Sequence, residues 1–246
     1  MSTLINILLL TFLGSLAGLT GGLLLLANKK LISKVSPYLA AFAAGTLIGV
    51  AFFDLLPEAA LFPWAAGGII FFFLIERYLH SFHHHEKHHE HTREARTTVP
   101  LIVISDTMHN FVDGVVIAAT FMAQPTLGMV TALAVLAHEV PQEIGDFGLL
   151  LHKGLSRLRV VVINILSASA SFLGAIITYI LGDILEGYIP ILVSLTAGFF
   201  LYIALSDLVP EIQYEKKKRM ATLQTLILIS GMILIWGVVN LFEENL

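Results

Sequence analysis

Two short polar motifs interrupt stretches that are otherwise apolar: HNFVDG at residues 109–114 and HEVPQEIGD at residues 138–146. Helical spacing would place His109 and Asp113 on one face of the first segment. Imidazole and carboxylate groups together are typical ligands of divalent transition metals. The residue types and their spacing therefore predict a metal site built by two helices.

The second motif adds His138, Glu139 and Glu143, and the two glutamates are also four residues apart. Only about four residues, 123–126, separate the two segments, so we expect antiparallel neighbours whose polar faces meet. Pro141 removes one helical hydrogen bond, and we expect a kink there. Two histidines and three or four carboxylates could hold one metal ion, or two ions bridged by a carboxylate such as that of Glu143.

Other interpretations of these residues remain open at this point. Neutral carboxyl groups acting as a proton relay would also avoid the cost of buried charge. Asn110 alone would fit a hydrogen bond to a neighbouring helix. Asp106 and Asp146 lie nearer the segment ends, where they could face water or cap a neighbour. The presence of histidine and carboxylate on both segments favours the metal site.

The composition places the chain among membrane proteins, because 57% of residues are hydrophobic and only 13% are charged. A bilayer core of about 30 Å needs roughly 20 apolar residues per helix. We therefore predict eight membrane-spanning helices in a single transporter domain over residues 1–246, with little chain left for a soluble domain. The predicted spans are residues 4–26, 36–56, 61–79, 99–122, 126–151, 160–181, 188–208 and 221–242.

Positive charge alternates along the chain. All 14 Lys and Arg residues lie at or near the loops that follow spans one, three, five and seven, whereas Asp183 and Glu186 lie on the other side. The positive-inside rule then places the basic loops in the cytoplasm and both termini outside. One of these loops, at about 80–98, is His-rich, with seven histidines among residues 80–91. Such a tract can bind metal, and a solvated, non-specific loop is the alternative.

An internal repeat is visible, because residues 39–58 align without gaps to residues 192–211 and both end in Asp-Leu-x-Pro-Glu. The copies are five spans apart, so they would cross the membrane in opposite directions. This predicts a 3+2+3 plan in which helices 1–3 and 6–8 form inverted repeats, as in many secondary transporters. The acidic residues that end the copies are candidates for cation vestibules or are solvated helix ends: Asp54, Glu58, Asp207 and Glu211.

Several other classes lack the residues that they need. The chain has no cysteine, which excludes disulfides and thiolate ligands. HEVPQ begins like the HExxH motif of zinc proteases, but position 142 is Gln. No GxSxG or GxxxxGK[ST] motif is present. An intramembrane zinc-dependent hydrolase remains the alternative function, followed by a metal-sensing protein.

HNFVDG followed by HEVPQEIGDFGLLLHKG resembles the ZIP (Zrt/Irt-like) family of divalent metal transporters. The likeness extends to the His-rich loop, the eight spans, the Leu-Pro-Glu ending of the second span and the NILSA sequence at 164–168. The resemblance implies an all-α polytopic membrane protein that moves metal into the cytoplasm through a binuclear site. It also implies a homodimer.

Carried over by position, the implied metal ligands are His109, Asn110, Asp113, His138, Glu139 and Glu143. The resemblance assigns Glu143 to the primary site together with both histidines and Asp113. It assigns Asn110 and Glu139 to a second site, with Asp113 and Glu143 as possible bridges. Some members supply a carboxylate from the sixth helix to this second site, where this chain has Asn164.

We therefore expect a prokaryotic-type carrier, and not an enzyme, in the plasma membrane of a bacterial or archaeal cell (a cell inner membrane). Its expected substrate is Zn²⁺, with Fe²⁺, Mn²⁺, Co²⁺ or Cd²⁺ as other cargo, because ligand type is a poor guide to the ion. The expected partners are these cations and membrane lipid, and no nucleic acid.

Overall fold

A computed structural model describes residues 3–81 and 91–243. All regular secondary structure in these ranges is helical, and no β-strand occurs in them. The prediction of an all-α protein is therefore confirmed. Most of the His-rich loop, residues 82–90, lies outside the described ranges, so the metal-binding interpretation of this loop stays a prediction.

The described residues form eight helical rods. The first four are α1 (Thr3–Thr11, π-helical Phe12–Leu16 and Thr20–Ala27), α2 (Lys29–Val50, π-helical Ala51–Leu55 and Leu56–Ala59), α3 (Phe62–Ser81) and α4 (His91–Ala123). The second four are α5 (Pro125–His152), α6 (Arg157–Ala168 and Ala170–Ile180), α7 (Ile189–Ile203, π-helical Ala204–Leu208 and Val209–Gln213) and α8 (Lys218–Glu243). A short helix, Gly182–Leu185, and a 3-10 turn, Glu186–Tyr188, connect α6 to α7.

Six stretches of the described chain are long and apolar enough to cross a membrane. They fall in α1, α2, α4, α6, α7 and α8, and they support the membrane-protein class. The apolar part of α3 is shorter, Phe62–Ile75, and α5 carries the polar HEVPQEIGD motif. The six stretches are Thr3–Ala27, Lys34–Ala59, Ile102–Ala123, Arg157–Ile180, Gly182–Gln213 and Lys218–Leu241.

The rods pack mainly in pairs, α2 along α8, α3 along α7, α4 along α6 and α1 along α5. A buried apolar cluster joins these pairs and includes Leu47 of α2, Ile117 of α4, Val135 of α5 and Phe200 of α7. Only Gln124 separates α4 from α5. The two motif-bearing helices are therefore neighbours, as the short connection predicted.

The two copies of the internal repeat share an unusual backbone feature. Each contains a short π-helix at the same alignment position, Ala51–Leu55 in α2 and Ala204–Leu208 in α7. A proline follows each π-helix and begins a new short helix, Pro57 in one copy and Pro210 in the other. Because proline lacks an N–H group, the regular hydrogen-bond ladder cannot continue through it. The shared irregularity supports a true repeat over a chance likeness of apolar segments.

Equivalent glycines also make equivalent contacts in the two copies. A Cβ atom on Gly45 would collide with the carbonyl oxygen of Leu228 in α8, and one on Gly198 would collide with the carbonyl oxygen of Ala65 in α3. Only glycine permits such close approach of two helix backbones. Thus α2 packs on α8 in the way that α7 packs on α3, as inverted repeats require.

Candidate metal centre

Four side chains from α4 and α5 converge at one point, and we call them the four-ligand group. His109 and Asp113 come from α4, and His138 and Glu139 come from α5. One nitrogen or oxygen atom of each residue lies within 4.8 Å of the corresponding atoms of the other three. The predicted meeting of the two polar motifs is therefore present in the structure.

The distances within the four-ligand group suit a small cation. The two histidine Nε2 atoms are 3.2 Å apart. The Nε2 of His109 lies 3.7 Å from Asp113 Oδ2 and 3.6 Å from Glu139 Oε1, and the Nε2 of His138 lies 3.4 Å and 3.8 Å from the same oxygens. Ligands at about 2.0–2.2 Å from a tetrahedral zinc ion are roughly 3.3–3.6 Å apart. Small side-chain adjustments would bring all four atoms onto one ion.

A hydrogen bond prepares His138 as a ligand. Its Nδ1 lies 3.0 Å from the carbonyl oxygen of Ala134, one turn earlier in α5. A carbonyl oxygen can only accept, so Nδ1 carries the proton and the lone pair of Nε2 points toward the other ligands. Outer hydrogen bonds of this kind orient metal-binding imidazoles.

The electrostatics of the group also call for a cation. Asp113, His138 and Glu139 are fully buried, and the side chain of His109 is 17% exposed. The carboxylate oxygens of Asp113 and Glu139 have no hydrogen-bond partner. Two buried carboxylates that accept no hydrogen bond and face imidazoles that are neutral as metal ligands are costly. A divalent cation would bring two carboxylates and two neutral imidazoles to a net charge of zero.

The other two predicted ligands, Asn110 and Glu143, lie outside the four-ligand group. Ser15 of α1 donates to Asn110 Oδ1 at 2.7 Å, and Asn110 Nδ2 donates to the Asp106 carboxylate at 2.9 Å. The amide oxygen that Asn110 would offer to a cation is therefore already hydrogen-bonded. Glu143 is buried one turn farther along α5, where it interacts electrostatically with Asp106 and Asp146.

This arrangement differs from the assignment that the family resemblance implied. Glu139, assigned by resemblance to a second site, is the glutamate beside both imidazoles, whereas Glu143 is not. The difference follows from the orientation of α5 about its own axis, which turns positions 138 and 139 toward α4. Helix α5 continues without a break through Pro141. Asp106, for which a water-facing position was an alternative, is buried.

Helices α7 and α1 complete the walls of the site, and neither polar motif indicates them. The rings of Phe199 and Phe200 on α7 lie 5.4 Å from His109 and 6.0 Å from His138, respectively, between centroids. A Cβ on Gly18 of α1 would stand 2.5 Å from the Cβ of Glu139, so α1 lies directly against the group. The internal repeat could have indicated these two phenylalanines, because both directly follow Gly198, the glycine equivalent to Gly45.

Comparison with known proteins gives a family match. Residues 83–238 match the family described as ZIP zinc transporter. Zinc transporter ZIP10 of Danio rerio is 36% identical over 152 residues, which cover 59% of this chain and 18% of that protein. Zinc transporter ZIP4 of Mus musculus is 36% identical over 159 residues, covering 62% and 23%. Zinc transporter ZIP10 of Homo sapiens is 40% identical over 111 residues, covering 45% and 13%.

The fold and the site define a helical membrane protein with a buried His/Asp/Glu group that could hold a metal ion. The chain belongs to the ZIP family, because the family match covers more than half of its length and includes both ligand motifs. The matched region spans less than a quarter of the length of these three relatives.

Proposed function

We propose that the chain is a membrane carrier that moves divalent transition-metal cations, Zn²⁺ foremost, into the cytoplasm. The observation that carries this proposal is the four-ligand group, buried between two helices of an apolar bundle. The relatives are named zinc transporters, which supports zinc as cargo. Two imidazoles and two carboxylates also suit Fe²⁺, Mn²⁺, Co²⁺ and Cd²⁺.

The surroundings of the four-ligand group differ between its two sides along α4 and α5. Toward Ile117 and Val135 the helices enter the buried apolar cluster. Toward Asp106 and Glu143 the same helices carry buried carboxylates. A cation in a membrane protein follows polar side chains and avoids apolar packing. This contrast supports a structure in which the site communicates with one side only.

A cavity of about 680 Å³ lies farther along the polar side. Its wall includes Gly145 and Gly148 of α5 and Glu211 of α7, with Lys29 and Arg157 also contributing. The positive-inside rule assigns an end with these basic residues to the cytoplasm. We therefore propose an inward-facing arrangement, with Glu211 in an inner vestibule.

We further propose that all eight rods cross the plasma membrane in the 3+2+3 plan, with both termini outside. The equivalent π-helices and glycine contacts of α2 and α7 support the inverted repeat. Rearrangement between the repeats and the central helices would expose the site alternately to the two sides. A dication that moves inward across about 100 mV, inside negative, gains about 4.6 kcal/mol, so uptake needs no ATP on electrical grounds.

Three finer expectations stay predictions: the outer vestibule at Asp54 and Glu58, the homodimer, and the location in a bacterial or archaeal cell. The second ion of a binuclear site also stays a prediction. The hydrogen bond from Ser15 to the amide oxygen of Asn110 disfavours Asn110 as its ligand in this conformation.

The intramembrane hydrolase gains no support. A catalytic zinc ion typically has three protein ligands and one open position for water. The four-ligand group supplies four protein atoms, and the matched family is described as one of transporters.

The direct test is zinc influx into proteoliposomes that contain a zinc-responsive dye and carry an inside-negative potential. We expect saturable influx with the natural chain. For His138→Ala and for Glu139→Ala, at matched insertion, we expect zinc influx no faster than into protein-free liposomes. Glu186→Gln, in the exposed turn before α7, is the matched acidic control and should transport normally. Absence of influx with the folded natural chain would contradict the proposal.

A further inference from the structure

We propose that the cavity at the cytoplasmic end of the bundle binds the phosphate of an anionic phospholipid, with the first part of its acyl chains against the apolar part of the wall. This cavity has a volume of about 680 Å³, which lies within the range of about 300–1,000 Å³ that is typical of ligand sites. The proposed ligand is not the transported cation, so its binding does not depend on the proposed transport function.

Basic side chains give the wall of the cavity an excess of positive charge. Lys29 and Arg157 line it, and His152 adds an imidazole. Glu211 is the one carboxylate among the described residues of the wall. Neither Lys29 nor Arg157 forms a salt bridge with Glu211 or with any other carboxylate of residues 3–81 and 91–243. Two cationic side chains of the wall are therefore available to an anion.

Two helices begin at this wall and add to its positive potential. Lys29 is the first residue of α2, and Arg157 is the first residue of α6. Neither helix has an acidic residue in its first turn. The N-terminal end of a helix carries a partial positive charge and N–H groups without a partner in the helix, and both favour a phosphate. The two helix ends therefore favour the same ligand as the two basic side chains.

Much of the remaining wall is apolar and suits hydrocarbon. Five of the lining residues have apolar side chains: Leu25, Leu26, Pro37, Ile144 and Leu151. Beside them in the sequence, Leu24 of α1 and Leu149 of α5 are exposed on the outside of the bundle. A free phosphate ion gains nothing from apolar surface, whereas a phospholipid carries a phosphate and hydrocarbon in one molecule. The combined wall therefore favours a phospholipid over free phosphate.

The level of the cavity in the membrane also fits a lipid headgroup. Lys29 and Arg157 lie at helix ends that the positive-inside rule assigns to the cytoplasmic surface. Basic pockets between membrane helices on this side bind anionic headgroups. A bound phosphate would also offset two positive charges in the cavity through which we propose that the metal cation leaves.

Native mass spectrometry of the full chain in detergent counts bound lipid and tests the site. The probe is palmitoyl-oleoyl phosphatidylglycerol, and phosphatidylcholine with the same acyl chains is the zwitterionic comparison. The charge variant is Lys29→Gln/Arg157→Gln. Its matched control is Lys216→Gln/Lys217→Gln, which removes the same charge from the exposed loop between α7 and α8.

A second variant blocks the cavity without a change of charge. Gly145 lines the cavity, and a Cβ added to it meets no atom within 4 Å, so Gly145→Leu should fill part of the space and still fold. Gly237→Leu is its matched control, because Gly237 of α8 has the same open space and does not line the cavity. Size-exclusion chromatography checks the folding of every variant.

We expect the natural chain to bind one phosphatidylglycerol about tenfold more tightly than phosphatidylcholine. The charge variant and Gly145→Leu should each weaken that binding about tenfold, and the two controls should leave it unchanged. If the charge variant does not fold, Gly145→Leu decides in its place. Glycerol 3-phosphate, which has the phosphate without acyl chains, should not displace the lipid.

Three results would overturn the lipid site. Equal binding of the two lipids would remove the role of the negative charge. A loss in Lys216→Gln/Lys217→Gln as large as in the charge variant, or parental binding by folded Gly145→Leu, would place the lipid outside the cavity. Displacement by glycerol 3-phosphate would assign the cavity to a soluble phosphate compound instead of a phospholipid.

Discussion

Helices α2 and α7 have the same backbone features and differ in the side chains that they place near the four-ligand group. Both have a π-helix, a proline that begins the next turn, and a glycine pressed against a neighbouring carbonyl. At the two positions after that glycine, α2 has Thr46 and Leu47, whereas α7 has Phe199 and Phe200. The repeat therefore keeps the packing of the backbone, while side-chain differences break the symmetry around the site.

The broken symmetry gives the four-ligand group one aromatic wall. Phe199 and Phe200 lie beside the two imidazoles, and Phe199 also packs on Phe72 of α3 with centroids 4.0 Å apart. Thr46 instead donates to the carbonyl oxygen of Ala43 in its own helix at 2.8 Å. We infer that α7 shields the imidazoles and limits their rotation, whereas α2 contributes smaller side chains.

The largest expected effect tests the shared backbone. Gly45→Val and Gly198→Val would each force α2 from α8 or α7 from α3, because the new Cβ meets a backbone carbonyl. We expect each to lower the free energy of unfolding by more than about 4 kcal/mol. The protein should then be largely unfolded, and the folded peak should be lost in size-exclusion chromatography. Gly237→Val, with open space around the Cβ, is the control. Loss of folding in one copy only would show that the two contacts are not equivalent.

Zinc binding should distinguish α7 from α2 in a second way. At a concentration 100 times the dissociation constant, zinc should stabilise the chain by about 2.7 kcal/mol. Because the aromatic wall contacts the imidazoles, we expect the added protection from hydrogen exchange to be larger for residues 196–203 than for residues 43–50. A chelator should reverse the effect, and His138→Ala should abolish it. Equal protection of both segments would count against the asymmetry.

The aromatic wall itself is tested by Phe199→Leu and Phe200→Leu. The hydrophobic shell around a metal site controls solvent access and the local dielectric. We expect each substitution to weaken zinc binding about tenfold, the lower end of the 10–100-fold cost of losing an outer hydrogen bond to a ligand. Thr46→Val, which has nearly the same volume and lies at the equivalent position in α2, should leave the affinity unchanged. Competition with a zinc-responsive dye measures all three. An equal loss in Thr46→Val would remove the distinction between the two walls.

The smallest expected effect extends the comparison to α1 and α6, which both place a serine against α4. Ser15 donates to Asn110, and Ser167 shares a hydrogen bond with Thr107 at 3.0 Å. Hydrogen bonds between membrane helices contribute about 0.6 kcal/mol on average. We expect Ser15→Ala and Ser167→Ala each to reduce stability by about this amount in denaturant titrations. A loss several times larger in either variant would assign that serine a role beyond a single hydrogen bond.

Much of this arrangement could be predicted from the sequence, because long apolar runs set helix positions. The span predicted at 126–151 became Pro125–His152, and the two polar motifs meet as their spacing required. The choice between Glu139 and Glu143 could not be made, because it depends on the rotation of α5 about its axis. That rotation is set by contacts such as the one with Gly18. The π-helices were also missed, because hydrogen bonds between residues i and i+5 leave no pattern in the hydropathy of the sequence.

The central claim is that His109, Asp113, His138 and Glu139 together bind one transported cation. X-ray absorption at the zinc edge tests it most directly, with one zinc per chain and the histidines of residues 80–91 changed to serine. We predict two imidazole nitrogens and carboxylate oxygens at about 2.0–2.2 Å from the ion, and one imidazole after His138→Ala. A spectrum without imidazole scattering, or one that His138→Ala leaves unchanged, would contradict the account.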